Sequence, residues 1–453
     1  MQAESPSESG EFSPAYIAVP LCSDKSDVRS MWRDCLRYSA PERSTDPSRS
    51  QAISGELSVL VIMPGIAGLQ IDVESDIRQL MALAKRGHKV TCVVASTSKS
   101  LAHLRDVPGF KLETVLMRRV VPVLSPVFFQ LAAFLHTFRM ITRCHAIVLY
   151  VHSVPIFLPF LMISRLRGRV PVLILRIHTN PVETGGPLRT LAMTFTYALS
   201  MKLSAAFFDK IFFISPMLAR LYSEQLSIPR SRARVWPSPV DMDIFELSST
   251  SNANLLRRQL GLPDGFEVLY HGMLSASRGI METVEAFKIL SQESVSATLV
   301  LLGDGPLREY LRRYVQESGL GETVKIVGPV DYRDVPRYIA ACDVGIVPLP
   351  DHPWWRYQCP TKILECLSMN KPLILSDLPA HRWMVGDTPI VVYLKGTSPR
   401  QISNGVHEFL ASRANLNPRL GRQLAAKFSM EQIAEMIEQE ILSALRPERA
   451  TRQ

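Results

Sequence analysis

The chain has 453 residues, 47% hydrophobic and 21% charged, which predicts two or three globular domains and excludes wholesale disorder. Lys+Arg 51 against Asp+Glu 42 leave a net charge of +9, a surplus that suits nucleic acid, an anionic lipid surface or a phosphorylated substrate. The seven cysteines are scattered, odd in number and without a C-x-x-C pair, which argues against a disulfide framework or zinc ribbon and for a reducing compartment.

Residues 1–52 are rich in Ser, Pro and charge and are expected to form a flexible extension. Their polar, acidic opening is unlike a secretory signal, so a cytoplasmic location is expected. From Leu57 short β-branched runs alternate with helical stretches: Ser58–Met63, Asp72–Arg86, Lys89–Ala95, then Ala146–Tyr150, Val172–Ile177, Lys210–Ile214 and Ala233–Trp236. This rhythm predicts a parallel sheet covered on both faces, spanning 53–238. The most apolar run, Ala146 to Ile163, is interrupted by His152, Ser153, Pro155 and Pro159. A bilayer span needs about 20 apolar residues, so the run reads as strand, turn and helix start. Arg118-Arg119 and Val120–Met140, with Phe128, Phe129, Phe134 and Phe138 and ending near Arg139 and Arg143, fit two readings. One is a helix lying on a membrane, the other a helix buried against the sheet.

Trp236-Pro237-Ser238-Pro239-Val240 breaks the pattern, and the polar stretch Ser248–Asn254 follows. A second strand and helix series then runs from Glu267 to Tyr393, in a domain expected over 239–428. A closing amphipathic helix, Met430 to Leu445 within 429–453, is expected to pack back toward the first domain. The predicted fold class is α/β, two Rossmann-like doubly wound domains facing each other across a cleft. The ligand is expected at the carboxyl ends of the strands.

Candidate chemistry follows those strand ends. Gly65 and Gly68, after the first strand, suit either a plain turn or a close approach of backbone to an anion. Tyr270-His271-Gly272 ends the second domain's first strand, and Arg278 stands before the next helix, as a solvated arginine or as a fork of donors for a diphosphate. Gly303-Asp304-Gly305-Pro306 reads as a tight turn. Pro360-Thr361 opens a helix whose free N–H groups suit phosphate. Lys362 and Glu365 share a face of it, as a surface ion pair or as ligand-binding groups, with glutamate suited to ribose hydroxyls.

Arg278-Gly279, the Gly303–Pro306 turn, Ala341-Cys342-Asp343-Val344-Gly345-Ile346-Val347-Pro348, and the Lys362/Glu365 helix followed by Asn370-Lys371-Pro372-Leu373-Ile374 occur in that order. The set resembles the nucleotide-sugar domain of family 4 glycosyltransferases, the glycosyl transferases group 1 superfamily, with the GT-B fold. In the first domain, Leu83–Val90, Asp209-Lys210-Ile211 to Ser215-Pro216, and Val240–Phe245 are similar to the family's first helix and second strand, last strand and linker. The likeness runs from about Ser58 to Leu445.

The resemblance implies a retaining, hexosyltransferase-like, metal-independent enzyme using a nucleotide-diphosphate sugar as donor substrate and no cofactor. Gly65 and Gly68 match the glycine loop near the donor phosphates. Gly272 and Gly303 fall in the donor site, and Arg278 matches the residue that neutralises the leaving diphosphate. Thr361 and Lys362 match the helix start that receives the β-phosphate, Glu365 matches the ribose-binding second glutamate of E-x7-E, and His178 matches a histidine beside the reacting sugar. Two positions depart from the pattern: Tyr357 replaces the first glutamate and Met273 an arginine. Asp241-Met242-Asp243 lies in the linker motif and is not read as a metal site. A lipid-linked or glycan acceptor is implied, in polysaccharide, glycolipid or cell-envelope synthesis. A phosphorylase or sugar-phosphate synthase on the same fold and a non-catalytic nucleotide-sugar-binding subunit are the alternatives. Nucleic acid has no motif in its favour. The charge map points to the acceptor side: residues 52–235 hold 22 Lys and Arg against 9 Asp and Glu, or +13. This domain is therefore expected to face an anionic membrane or a phosphorylated, lipid-linked acceptor.

Overall fold

Runs of Val, Ile and Leu that bury every residue, such as Val172–Ile177 and Ala297–Leu302, require a sheet covered on both faces. The computed structural model describes residues 56–67, 71–96, 107–116, 125–141, 143–166, 171–177, 187–246, 253–262, 265–353, 355–413 and 419–445. The predicted extension 1–52 lies outside them. Strands β1 (Ser58–Ala67), β2 (Lys89–Ser96), β3 (Phe110–Leu116), β4 (Ala146–Tyr150), β5 (Val172–Ile177), β6 (Lys210–Phe213) and β7 (Ala233–Val235) form one parallel sheet. Its order is β3-β2-β1-β4-β5-β6-β7. A second parallel sheet is built from β8 (Phe266–His271), β9 (Ala297–Leu302), β10 (Val324–Gly328), β11 (Val344–Val347), β12 (Leu373–Ser376) and β13 (Val391–Leu394), in the order β10-β9-β8-β11-β12-β13. Each sheet reverses direction beside its first strand, which opens a crevice at the carboxyl ends of the neighbouring strands.

Alternation along the strands sorts residues between two layers. Leu60 and Ile62 pack with Phe129, Phe157, Leu161 and Met201, from the helices Ser125–Ile141, Val154–Leu166 and Pro187–Phe207. Val59 and Val61 face the other way, toward Ile77 and Leu80 of helix Ile71–Lys85 and Ile433 and Ile437 of the closing helix Met430–Leu445. That closing helix is also held at its edges: Glu438 pairs with Arg86 and His88, and Glu440 with Arg234 and Lys210. The chain thus returns to the first domain after building the second, and it crosses where Val240 bridges Ser429. Arg422 braces the outward crossing by donating to the carbonyls of Met242 and Phe245.

The apolar run follows its sequence expectation, whereas β1 and β3 depart from theirs. The apolar run resolves into β4, a 3-10 turn over Val151–Ser153 and helix Val154–Leu166. Among the described residues no helix is long and apolar enough to cross a membrane. β3 was not anticipated; as an edge strand it buries little besides Phe110, so its alternation is faint. β1 does not end at Met63 in a glycine loop. It continues through Gly65 to Ala67, and its register against β2 slips between Met63 and Ile66. Pro64 has no N–H for the ladder, so Pro64 and Gly65 bulge out and pairing resumes at Ile66.

A buried polar cluster fixes helix Ile71–Lys85 to the sheet. Arg176, 2% exposed, lies 2.9 Å from Asp76 and 2.9 Å from Gln79, with its guanidinium 4.0 Å from the Trp236 ring centroid. Tyr150 donates to the second oxygen of Asp76 at 2.6 Å. Arg176→Met leaves Asp76 as an uncompensated buried charge and should lower unfolding free energy by about 3–5 kcal/mol in urea titrations. Arg86→Ala removes a partly exposed partner and should change it by about 1 kcal/mol or less.

Candidate functional site

The end of β8 forms a floor that only glycine permits. Gly272 has φ +118, and a Cβ there would stand 3.1 Å from the Lys362 Nζ. Gly303, at φ +141 after β9, would place a Cβ 1.9 Å from the Gly272 carbonyl oxygen. Backbone bonds from Gly272 to Leu302 (2.8 Å), Leu274 to Asp304 (2.8 Å) and Gly303 to Gly328 (2.9 Å) tie the three strand ends together. The turn at Gly303–Pro306 therefore builds the floor of the crevice.

Onto this floor comes helix Thr361–Ser368, which opens at Pro360 with no side-chain cap. Its first N–H groups, at Thr361 and Lys362, have no intrahelical acceptor, and bonding begins with Ile363 to the Pro360 carbonyl. Lys362 is buried, and its ammonium has no hydrogen-bond partner; it rests 4.0 Å from the centroid of the Tyr270 ring. Burial, reinforced by the charge of Arg278 and opposed by Glu365, lowers its pKa to about 7. Arg278 ends a 3-10 turn, Ala276–Arg278, and stands 4.9 Å from the Trp355 ring centroid, while the Trp355 indole N–H donates to Ser277 at 2.7 Å. The Arg278 Nε is likewise buried without a partner. Two cations with unused donors are thus held together by ring faces rather than by carboxylates. An anion between them would relieve both the desolvation of Lys362 and the repulsion between the pair.

Glu365 does not pair with Lys362 on a surface. It is 4% exposed, and its two oxygens meet His271 Nε2 at 2.6 Å and the Tyr332 hydroxyl at 2.9 Å. Burial and this carboxylate push the Tyr332 hydroxyl well above its ordinary pKa, so it stays a donor. The Tyr332 ring is capped from the first domain by Arg78, 6.0 Å from its centroid and 3.7 Å from the Asp241 carboxylate. Asp241 also accepts from the amides of Asp243 and Ile244, each at 3.2 Å, so its linker role is a turn. Cys359 donates to the carbonyl of Ile214, past β6, at 3.3 Å. The second domain's site therefore opens toward the strand ends of the first.

Of the sequence-predicted residues, the structure brings together Gly272, Arg278, Gly303, Thr361, Lys362 and Glu365. Gly65 lies in the bulge of β1, whereas Gly68 and His178 lie outside the described residues. Met273 is half exposed and contributes its carbonyl, which accepts from Tyr270 at 2.8 Å. Tyr357 is partly buried against the core. Sequence reading missed Tyr270, His271, Tyr332 and Trp355 as partners. A tyrosine two positions before a strand-ending glycine was a usable signal for Tyr270, because both then face one side of the sheet. Nothing local marks Tyr332, whose partner Glu365 is 33 positions away.

Comparison with known proteins agrees with this arrangement. Residues 78–244 match the model described as Glycosyltransferase Family 4, and residues 265–412 match the model described as Glycosyl transferases group 1. Alpha-D-kanosaminyltransferase of Streptomyces kanamyceticus is 31% identical over 140 residues, 30% of this chain and 35% of that protein. Alpha-monoglucosyldiacylglycerol synthase of Streptococcus pneumoniae is 22% identical over 215 residues, 47% of each chain. The matched stretches span about a third to a half of these relatives' own lengths. Among solved structures, Anabaena Alr3699/HepE in complex with UDP is 16% identical, with a TM-score of 0.64, covering 85% of this chain and 100% of that one. WaaG, a glycosyltransferase involved in lipopolysaccharide biosynthesis, is 15% identical, with a TM-score of 0.62, covering 84% of this chain and 99% of that one. At such identities the structural likeness speaks for the fold, and the matched models speak for the family: the chain belongs to the family 4, group 1 glycosyltransferases and has the GT-B fold.

Proposed function

We propose that the protein is a retaining, metal-independent hexosyltransferase that moves a sugar from a nucleoside-diphosphate donor to a hydroxyl of a lipid-linked or glycan acceptor, in polysaccharide, glycolipid or cell-envelope synthesis. The observation that carries this reading is the unpartnered buried ammonium of Lys362 beside Arg278 at the glycine-built end of β8. The diphosphate lies against these two cations and the amides at Thr361 and Lys362. As the bond from the anomeric carbon to the phosphate oxygen breaks, the electron pair leaves with the diphosphate, whose growing charge the cations stabilise. The acceptor oxygen forms the new bond to that carbon, and its proton passes to the departing phosphate. No side-chain base and no metal is required by this scheme. Lys362 also supplies, from another element, the positive charge that Met273 lacks. Glu365, held by His271 and Tyr332, keeps lone pairs free for the ribose hydroxyls, since a carboxylate has about four acceptor sites. The first domain, with its excess of positive charge, takes the acceptor at an anionic membrane face on the cytoplasmic side.

Two measurements test the site. Arg278→Ala and Lys362→Met should each lower donor-dependent glycosyl transfer, or slow donor hydrolysis, by about 100-fold or more. Turnover unchanged in both variants contradicts the assignment, and donor binding without turnover by the wild type favours a non-catalytic nucleotide-sugar-binding subunit. The second measurement uses the pKa of Lys362, which burial lowers to about 7. At about pH 8 the amine is mostly neutral, and an adjacent diphosphate raises its pKa, so binding draws a proton from solution. Calorimetric titration of UDP or ADP in buffers of differing ionisation enthalpy should show uptake approaching one proton. That uptake should vanish in Lys362→Met; an unchanged value contradicts the buried-amine account.

A further inference from the structure

The helices Ser125–Ile141, Val154–Leu166 and Pro187–Phe207 cover one face of the first sheet with their inner sides. Their outer sides are not those of ordinary surface helices. Nine large hydrophobic side chains are exposed among the described residues, and six of them, Leu131, Leu135, Phe138, Ile163, Phe195 and Leu199, sit on these three helices. Leu135 is 75% exposed and Phe195 67%. The spacing is regular: Leu131, Leu135 and Phe138 follow i, i+4, i+7 on one helix, and Phe195, Leu199 and the exposed Lys202 follow it on another. Phe134 and Phe138 stack edgewise and tilted on Phe160, which joins the first two helices into one surface.

In sequence these helices carry formal charge of one sign, and Lys202 among them is exposed. The three helices contain four basic residues, Arg139, Arg165, Arg189 and Lys202, and no Asp or Glu. From 125 to 207 the sequence has eight Lys and Arg, one of them the buried Arg176, against the single Glu183. Exposed apolar side chains repeated over three helices, with the exposed Lys202 in line with Phe195 and Leu199 and no acidic residue on any of the three, are unusual on a monomer's surface and mark an interaction site. Self-association through a two-fold axis would set this face against its own copy, cation against cation. A bilayer containing anionic lipid satisfies both features, taking up the apolar side chains and neutralising the basic ones.

We propose that this three-helix face of the first domain docks on anionic lipid bilayers, with Leu135 and Phe195 entering the acyl boundary and Lys202 meeting headgroups. The proposal rests on the reading of the first domain as the acceptor side, and it gives that reading a specific surface. It places the membrane on the helix layer opposite the closing helix Met430–Leu445.

Flotation of the full chain with vesicles is the test. Binding should be strong with phosphatidylcholine containing about 30% phosphatidylglycerol, several-fold weaker with phosphatidylcholine alone, and reduced by about 0.5 M salt. The double variant Leu135→Glu/Phe195→Glu should bind anionic vesicles at least tenfold less, and Lys202→Glu severalfold less. Both hydrophobic positions are exposed, so an unchanged thermal midpoint shows that the fold is kept. Binding by the double variant equal to wild type overturns the proposal, as does equal binding to neutral and anionic vesicles. A dimer in sedimentation that the double variant dissolves, without vesicle binding by the wild type, also overturns it, in favour of self-association. Calorimetric binding of UDP or ADP reads the donor site separately, so vesicle binding can fail while the glycosyl-transfer reading stands, and the reverse.

Discussion

The buried ammonium of Lys362 is the constraint on which the site depends. An amine that lies against a tyrosine ring with no hydrogen-bond partner is costly to keep charged, and the fold keeps it there with rigid backbone. Gly272 must be glycine for the lysine to reach its place, and Gly303 must be glycine for the Gly272 carbonyl to approach β9. Tyr270 supplies the platform, and Arg278, steadied over Trp355, adds a second cation. Each group is ordinary for a surface; together, in a crevice, they leave a place for negative charge.

Connections between the domains set what can reach that place. Tyr332 touches Glu365 on one side and Arg78 of the first domain on the other, so the carboxylate proposed for the ribose and a contact between the domains share one side chain. The chain leaves the first domain through the Asp241 turn and returns at Ser429, with the two crossings bridged. The closing helix then locks to the first sheet through Ile433, Ile437 and the pairs made by Glu438 and Glu440. The second domain is tethered at both ends of its sequence to the same edge of the first, which permits rotation about that edge more readily than separation.

Much of this was legible in the residues. Strands that are buried throughout announce themselves as runs dominated by Val, Ile and Leu, as in β5, where only Arg176 interrupts, and β9, which opens with Ala297-Thr298, and the Pro-rich break before Val240 marked the crossing between domains. Edge strand β3 was not visible, because partial exposure dilutes its alternation. The bulge in β1 was hidden because its pairing with β2 resumes after Pro64, a tertiary event. At the site, Arg278, Lys362 and Glu365 were found by helix-start chemistry and family likeness. Their ring partners were not, since Tyr332 and Trp355 reach the crevice from loops distant in sequence. In the Val120–Met140 segment Phe129 is buried against the sheet, as one of its two readings expected, while Leu135 and Phe138 face outward.

The central claim is that Lys362 and Arg278 are the counter-ions of a diphosphate. A crystal structure with a bound nucleoside diphosphate tests it most directly. The account predicts phosphate oxygens within hydrogen-bond distance of the Lys362 Nζ, the Arg278 guanidinium and the amides at the start of helix Thr361–Ser368. A diphosphate bound elsewhere, with Lys362 still unpartnered over the Tyr270 ring, would contradict it.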